Sequence, residues 1–98
     1  MVNSREYMHV TYSQIDKMKH TIGFDNRRVT GTKHRKYIPY RNYYCAGGTD
    51  PELEDLVRLG FMAKHAEKYY HVTEDGRLFL ERVTGVKILP ESDWKGGA

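Results

Sequence analysis

The chain has little cysteine and no long apolar run. Its single cysteine, Cys45, cannot form an internal disulfide, which favours a reducing compartment. No run approaches the roughly 20 apolar residues of a membrane-spanning helix, and residues 1–6 have no apolar core of the signal-peptide kind. We therefore predict a cytoplasmic protein with no membrane partner.

The composition predicts one folded domain. Of the 98 residues, 39% are apolar and 30% are charged, as in ordinary globular proteins, and the length is too short for two independent cores. We place this domain at residues 1–89, with residues 1–12 as a short strand or irregular arm. Residues 90–98 are predicted to be a loose tail.

The net charge of +3 is unevenly distributed along the chain. Residues 25–48 contain six lysines and arginines against Asp25, which gives a local charge of +5. Residues 49–60 contain four acids against Arg58, which gives −3. A basic segment therefore lies directly before an acidic one, and any binding function has to accommodate both.

Apolar spacing predicts a first helix over residues 13–21 or 13–22. Ile15, Met18 and Ile22 recur at i, i+3 and i+7 and mark one buried face, and Ser13 is the expected N-cap. Residues 25–36 are predicted to form a polar loop with a ribbon tip near Gly31. Residues 37–44, dense in tyrosine around a proline, are expected to be extended or to form a single turn over the core.

A second helix is predicted to start near residue 50 and to end at Gly60. Thr49 and Glu52 stand at capping-box spacing, whereas Asp50 as the cap would place Pro51 at the first helical position. The two alternatives stay open at this point.

Two strands and a third helix follow. Residues 61–64 and 69–72 are predicted to pair as a hairpin, Thr73 to cap a helix that ends at Gly85, and residues 86–89 to form a short strand. These elements predict an α+β fold with about three helices and a small antiparallel sheet. The predicted core comprises Ile15, Met18, Ile22, Leu53, Leu56, Val57, Phe61, Val72, Leu78 and Phe79.

The order of helix, hairpin and helix resembles the second half of a winged helix-turn-helix domain. The resemblance covers about 30 residues and implies a winged-helix-like fold, with residues 50–59 as the DNA-recognition helix and residues 64–68 as the wing tip. The pattern that carries it is Leu53-x-x-Leu56-x-x-x-Gly60-Phe61, followed by Tyr69-Tyr70-His71-Val72-Thr73-x-x-Gly76-x-x-x-Leu80.

The acids in residues 50–55 depart from the winged-helix pattern. Carboxylates stabilise a helix N-terminus, yet they repel phosphates and offer guanine no donor. We therefore expect no major-groove reading by this helix. Its carboxylates either solvate and cap the helix or present a negative strip that mimics nucleic acid.

A second resemblance extends over most of the chain. The chain looks like small proteins encoded by phages and prophages of bacteria. The likeness lies in His20-Thr21-Ile22-Gly23, a basic loop, Tyr40-Arg41-Asn42-Tyr43-Tyr44 and then Leu53-x-x-Leu56-x-x-x-Gly60. Some proteins of this kind inhibit host defence systems, as anti-CRISPR proteins do. The resemblance implies action in the cytoplasm of a bacterial host.

Basic and aromatic residues between positions 27 and 43 form the candidate binding site. Lysine and arginine neutralise phosphates, and tyrosine stacks on bases or on guanidinium planes. The alternative is a solvated loop whose tyrosines pack inward. With the two lysines of the wing, the candidate binding residues are Arg27, Arg28, Lys33, Arg35, Lys36, Tyr40, Arg41, Tyr43, Lys64 and Lys68.

Neither a metal site nor a catalytic site is predicted, and no cofactor is expected. The five histidines lack the close pairs typical of zinc ligands. Cys45 beside Gly47-Gly48 is expected to be a small buried apolar residue rather than a nucleophile.

The sequence thus predicts a non-enzymatic binding protein that engages nucleic acid or a nucleic-acid complex. The alternative is an inhibitor that contacts a host defence effector through Tyr40, Arg41, Tyr43 and the acidic helix. Oligomeric state stays open, a homodimer included.

Overall fold

A computed structural model describes residues 10–66 and 68–90. This part of the chain contains three α-helices, one short 3₁₀ helix and five strands, which confirms the predicted α+β class. The elements are α1 (Tyr12–Thr21), the 3₁₀ helix (Asn26–Arg28), β1 (Lys36–Tyr37), β2 (Tyr44–Cys45), α2 (Pro51–Leu59), β3 (Met62–His65), β4 (Tyr69–Val72), α3 (Glu74–Thr84) and β5 (Lys87–Ile88).

The strands form two small sheets. An antiparallel sheet has the order β2-β4-β3, and its β3–β4 hairpin confirms the predicted pairing with Met62 opposite Val72. A parallel pair, β1 with β5, joins the middle of the chain to its end with Tyr37 opposite Ile88. The predicted arm and tail lie almost entirely outside the described residues.

Helix α1 has its N-cap two residues before the predicted one. Thr11 is the N-cap: its hydroxyl accepts from the amide of Gln14 at 3.1 Å, and Gln14 Oε1 accepts from the amide of Thr11 at 2.8 Å. The prediction that Ser13 is the N-cap was wrong, because this reciprocal capping box gives the backbone amides of Thr11 and Gln14 their acceptors and so starts the helix at Tyr12. Ser13 instead donates to Glu52 Oε1 of α2 at 2.8 Å.

Helix α2 resolves the two alternatives for its start. Asp50 is the cap, because its Oδ1 accepts from the amides of Glu52 and Leu53 at 2.9 and 3.2 Å, and Pro51 occupies the first helical position. The helix ends at Gly60, which has a left-handed φ of 88°. Thr73 and Gly85 bound α3 as predicted.

The core packs the three helices against both sheets. Phe61 and Phe79 stack with ring centroids 4.5 Å apart. Leu78 was wrongly predicted to be buried and is 47% exposed, because α3 turns Gly76, Phe79 and Leu80 inward. Ile15 and Val57 are half-buried against the core, which comprises Met18, Ile22, Tyr37, Ala46, Leu53, Leu56, Leu59, Phe61, Met62, Tyr70, Val72, Phe79, Leu80, Val86 and Ile88.

The helices in the described part of the chain are short. The longest, α3, has 11 residues, and none combines the length and apolar character needed to cross a bilayer.

Candidate functional site

Two arginines of the basic segment converge on one exposed tyrosine. The guanidinium carbons of Arg28 and Arg41 lie 5.1 and 5.4 Å from the ring centroid of Tyr40. Tyr40 itself is 59% exposed. Arg41 also donates from Nε and Nη2 to the carbonyl of His20 at 3.2 and 2.7 Å. Because a guanidinium has five N–H donors, both arginines retain donors for an external anion. We call Arg28, Tyr40 and Arg41 the arginine–tyrosine cluster.

The turn after α1 provides the support for this cluster. Gly23 has a φ of +67°, and a Cβ at this position would lie 2.5 Å from Cε1 of Tyr40, so the ring rests against backbone. The same turn is held from inside by Tyr37, whose hydroxyl donates to the carbonyls of Ile22 and Gly23 at 3.1 and 2.5 Å. Burial raises the pKa of Tyr37, which keeps the hydroxyl protonated as a donor.

Arg27 is engaged differently from its neighbour Arg28. Asp25 caps the 3₁₀ helix by accepting from the amide of Arg27 at 2.9 Å, and its second oxygen accepts from Arg27 Nη2 at 3.0 Å. These hydrogen bonds from Arg27 lower the pKa of Asp25. The acid of the basic segment is thus hydrogen-bonded to Arg27, and the charge of Arg28 acts on it only through space.

Three further predicted cations lie on a ribbon between the 3₁₀ helix and β1. Thr30 and Lys36 exchange two backbone hydrogen bonds of 2.9 Å, which close the ribbon as predicted near Gly31. Lys33, Arg35 and Lys36 are exposed, and none of their side chains forms a hydrogen bond or ion pair with another described residue. The ribbon therefore presents positive charge to solvent.

A groove of about 430 Å³ lies between the end of α1 and the cluster. Lys19 and His20 line it together with Arg27, Tyr40 and Arg41. The sequence prediction did not include Lys19 or His20. The sequence did indicate their position: the apolar spacing that buries Met18 places the polar residues Lys19 and His20 toward the outer side of α1.

The acids at the start of α2 have partners within the protein. Lys17 Nζ of α1 lies 2.7 Å from Asp50 Oδ2 and 2.9 Å from Glu52 Oε1. The hydrogen bonds to these two carboxylates raise the pKa of Lys17, and the one from Lys17 lowers the pKa of Glu52. Burial alone would raise the pKa of Asp50, but the hydrogen bonds from Lys17 and the helix amides outweigh it and lower the pKa.

The remaining two acids of α2 are also engaged. Glu54 Oε2 accepts from the hydroxyl of Tyr70 at 2.6 Å and lies 3.1 Å from Lys64 Nζ, and these contacts lower its pKa. Asp55 pairs with Arg58 at 2.8 Å on the same helix. Through these contacts the acids attach α2 to α1 and to the hairpin, so the acidic cluster has a role in holding the fold together.

The two lysines predicted for the wing differ in their surroundings. Lys64 is ion-paired with Glu54, and its Nζ lies 5.6 Å from the ring centroid of Tyr70. Lys68 is exposed at the hairpin turn, and its carbonyl accepts from the amide of Ala46 at 2.8 Å. Neither lysine is part of the arginine–tyrosine cluster in the contacts that the structure describes.

The outward face of the antiparallel sheet carries exposed aromatic rings. Tyr43 is 56% and Tyr69 is 39% exposed. In the register, Tyr69 stands opposite Cys45 on one side and His65 on the other. These rings border a groove of about 380 Å³, which we call the sheet-face groove and which is lined by Asn42, Tyr43, His65, Tyr69, Tyr70 and His71.

Asn42 connects the two surfaces. Its Nδ2 donates to the carbonyl of Val72 at 3.0 Å, and its Oδ1 accepts from the amide of Val72 at 2.8 Å. This pair of bonds docks the loop on β4, with Arg41 on one side of Asn42 in the chain and Tyr43 on the other. Tyr69, His65 and His71 were missed as site residues, although the alternation in 69–72 indicates which side chains face outward.

Cys45 is exposed at the end of β2, so the expectation that it is a small buried residue was wrong. Over residues 10–66 and 68–90, no three or more histidine, cysteine, aspartate or glutamate side chains are grouped as metal ligands would be.

The chain matches no protein-family model, and no curated protein or solved structure is significantly similar to it.

Proposed function

We propose that this protein binds nucleic acid through residues 27–41, by neutralising phosphates rather than by reading base sequence. The arginine–tyrosine cluster is the observation that carries the proposal. Its ring holds two guanidinium groups at one place on the surface, so less side-chain freedom is lost when they bind. Guanidinium forks match the geometry of phosphate oxygens in bidentate hydrogen bonds.

The local charge supports the same proposal. Lys33, Arg35 and Lys36 extend the positive surface along the ribbon. Asp25 is engaged by Arg27, and the carboxylates of α2 are paired with α1, with the hairpin or within α2 itself. The positive potential of residues 27–41 is thus offset little by nearby acids, which favours attraction of a polyanion.

The order of α2, the β3–β4 hairpin and α3 supports a winged-helix-like interpretation of the fold. In that interpretation α2 occupies the position of a recognition helix. Its first turn carries Asp50, Glu52 and Glu54, which would repel phosphates in a major groove. The proposal therefore assigns binding to the basic segment rather than to α2.

A protein contact is the second candidate function. Tyr40 and Tyr43 are both more than half exposed beside Arg41, and tyrosine and arginine are enriched in the energetic centres of protein interfaces. The partner class would be a host effector or nucleoprotein, as expected for a phage-encoded inhibitor. Such a contact would depend on Tyr43 and would change little with salt.

Fluorescence anisotropy with labelled single-stranded DNA, duplex DNA and RNA tests the proposal. If the five cations of the cluster and ribbon each contact a phosphate, log K falls against log salt with a slope of about −3.5 on single strands and about −4.5 on duplex. The double variant Arg28→Ala and Arg41→Ala should reduce the slope by about 1.4 to 1.8 and weaken binding.

Arg58→Ala is the matched control. It removes an exposed arginine of α2 whose ion pair with Asp55 is on the surface, so both binding and folding should stay close to the wild type. Affinity that is insensitive to salt, or unchanged in the double variant, would refute the proposal. Salt-insensitive capture of a host protein that is lost in Tyr43→Ala would establish the second candidate.

A further inference from the structure

The sheet-face groove is aromatic, open and accessible from solvent. Strand β4 alternates, with Tyr70 and Val72 turned into the core and Tyr69 and His71 turned outward. Across the β3–β4 pair, Tyr69 stands opposite His65, so two flat rings lie side by side. His71 stands opposite the small residue Ala63. Tyr43 borders the same groove from the loop before β2.

Exposed rings on a sheet face have a specific use in nucleic-acid binding. Unpaired bases stack on aromatic side chains whatever their identity, because every base presents a π-face. Bases inside a duplex are already stacked on one another and do not offer that face. An aromatic sheet face therefore discriminates single strands from duplexes.

We infer that the sheet-face groove stacks unpaired bases, so the nucleic acid bound by this protein is single-stranded. The inference rests on the proposed function, in which residues 27–41 hold the phosphates. It adds a second contact surface and names the class of ligand.

Continuity between the two surfaces supports this ligand. Arg41 belongs to the arginine–tyrosine cluster, Tyr43 belongs to the sheet-face groove, and Asn42 between them is docked on Val72 by two hydrogen bonds. A strand whose phosphates contact Arg41 therefore has bases within reach of Tyr43.

The charge of the groove also fits a nucleic acid. None of the described residues that line it carries a carboxylate, and two of them are histidines, whose ring nitrogens are available to hydrogen-bond base edges. Lys68 lies next to Tyr69 at the hairpin turn. An extended polyanion thus meets aromatic, polar and positive side chains along this path.

Anisotropy with single-stranded and duplex oligonucleotides of equal length tests the inference on Tyr43→Ala, Tyr69→Ala and the double variant. Each substitution should weaken single-strand binding by roughly 5- to 150-fold, the range for one stacked base. Duplex binding should change by less than about twofold, because it uses only the phosphate contacts. Tyr69→Phe should bind single strands almost as the wild type does, since the ring is kept.

Tyr12→Ala is the matched control, because Tyr12 is 88% exposed on α1 and does not line the groove. All variants should show the wild-type circular dichroism spectrum, since the rings removed are on the surface.

The outcomes separate this inference from the proposed function. Equal single-strand affinity in the double tyrosine variant overturns the inference but leaves phosphate binding intact. Failure of the wild type to bind any nucleic acid overturns both. Self-association through this face, seen in sedimentation velocity and lost in Tyr69→Ala, would also overturn the inference, because a second copy of the chain would then be its partner.

Discussion

Replacing Gly76 by alanine has two opposing effects on the free energy of unfolding, a gain in helix propensity and a loss in packing. Gly76 lies in the first turn of α3, and its amide donates to Thr73 Oγ1 at 3.1 Å. In an exposed helix the change would stabilise by up to about 1 kcal/mol, because alanine is the better helix former. Here a Cβ would lie 2.0 Å from the carbonyl oxygen of Phe61 and 2.9 Å from Cγ1 of Val72. We expect the steric cost to reverse the sign.

The magnitude follows from how far α3 would have to move. A close carbon–oxygen contact is about 3.3 Å, so relief needs a displacement of roughly 1.3 Å. The same carbonyl of Phe61 accepts from the amide of Thr73 at 3.1 Å, and the Thr73 hydroxyl donates to Gly60 at 2.6 Å, so the displacement disturbs the cap as well. Overpacking costs about 1–3 kcal/mol and a lost cap about 1 kcal/mol. After the gain in helix propensity is subtracted, we expect a net loss of roughly 1–3 kcal/mol.

Urea denaturation followed by far-ultraviolet circular dichroism measures this loss. For a domain of this size it corresponds to a decrease in Tm of roughly 4–24 °C. Gly48→Ala is the control, because its Cβ would meet nothing within 4 Å and its φ is not left-handed. That variant should be unchanged or more stable by up to about 1 kcal/mol. A Gly76→Ala protein as stable as the wild type would refute the packing argument.

Three further predictions concern the contacts around the two surfaces. Asn42→Ala should cost about 1–3 kcal/mol in urea denaturation, because the amide and carbonyl of Val72 lose their partner; an unchanged midpoint would show that water replaces it. The pKa of Asp50 is lowered in the folded state, so its stabilisation is present above the ordinary value of 3.8 and lost as the pH falls. Lys17→Met should flatten this acid dependence of the unfolding free energy, and an identical acid profile would contradict the assignment. The pKa of Tyr37 is raised in the folded state, so stability is fully present below its ordinary value of 10.0 and lost as the pH rises above it. Tyr37→Phe should be less stable near neutral pH yet lose part of this alkaline decline, measured by the same denaturation at several pH values.

The ends of the helices were largely predictable from the sequence. Asp50 with Pro51, Thr73 and Gly85 act within a few residues of the bonds that they make, so local patterns identify them. Ser13 failed because Thr11 with Gln14 forms a better capping box two residues earlier. The spacing of the apolar residues, which predicted the helix, does not identify which residue caps it.

The orientation of α3 and of the tyrosines was less predictable. Leu78 and Phe79 are adjacent and about 100° apart around the helix, and only the contact of Phe79 with Phe61 decides which of them is buried. Likewise, Tyr37 lies inside and Tyr40 outside, although the two have the same side chain and similar neighbours in sequence. The parallel pairing of β1 with β5 places Tyr37 in the core, and it connects residues about 50 positions apart.

By itself, the sequence determined the α+β class, the hairpin, most helix ends and the uneven distribution of charge. These depend on interactions between residues close together in the chain. Tertiary structure alone decided that Arg28 and Arg41 meet on Tyr40, that Lys17 of α1 pairs with Asp50 and Glu52, and that Tyr43 and Tyr69 share a groove. The reason is physical: these contacts join distant segments, and their geometry exists only once the core has packed and fixed the relative positions of the helices and sheets.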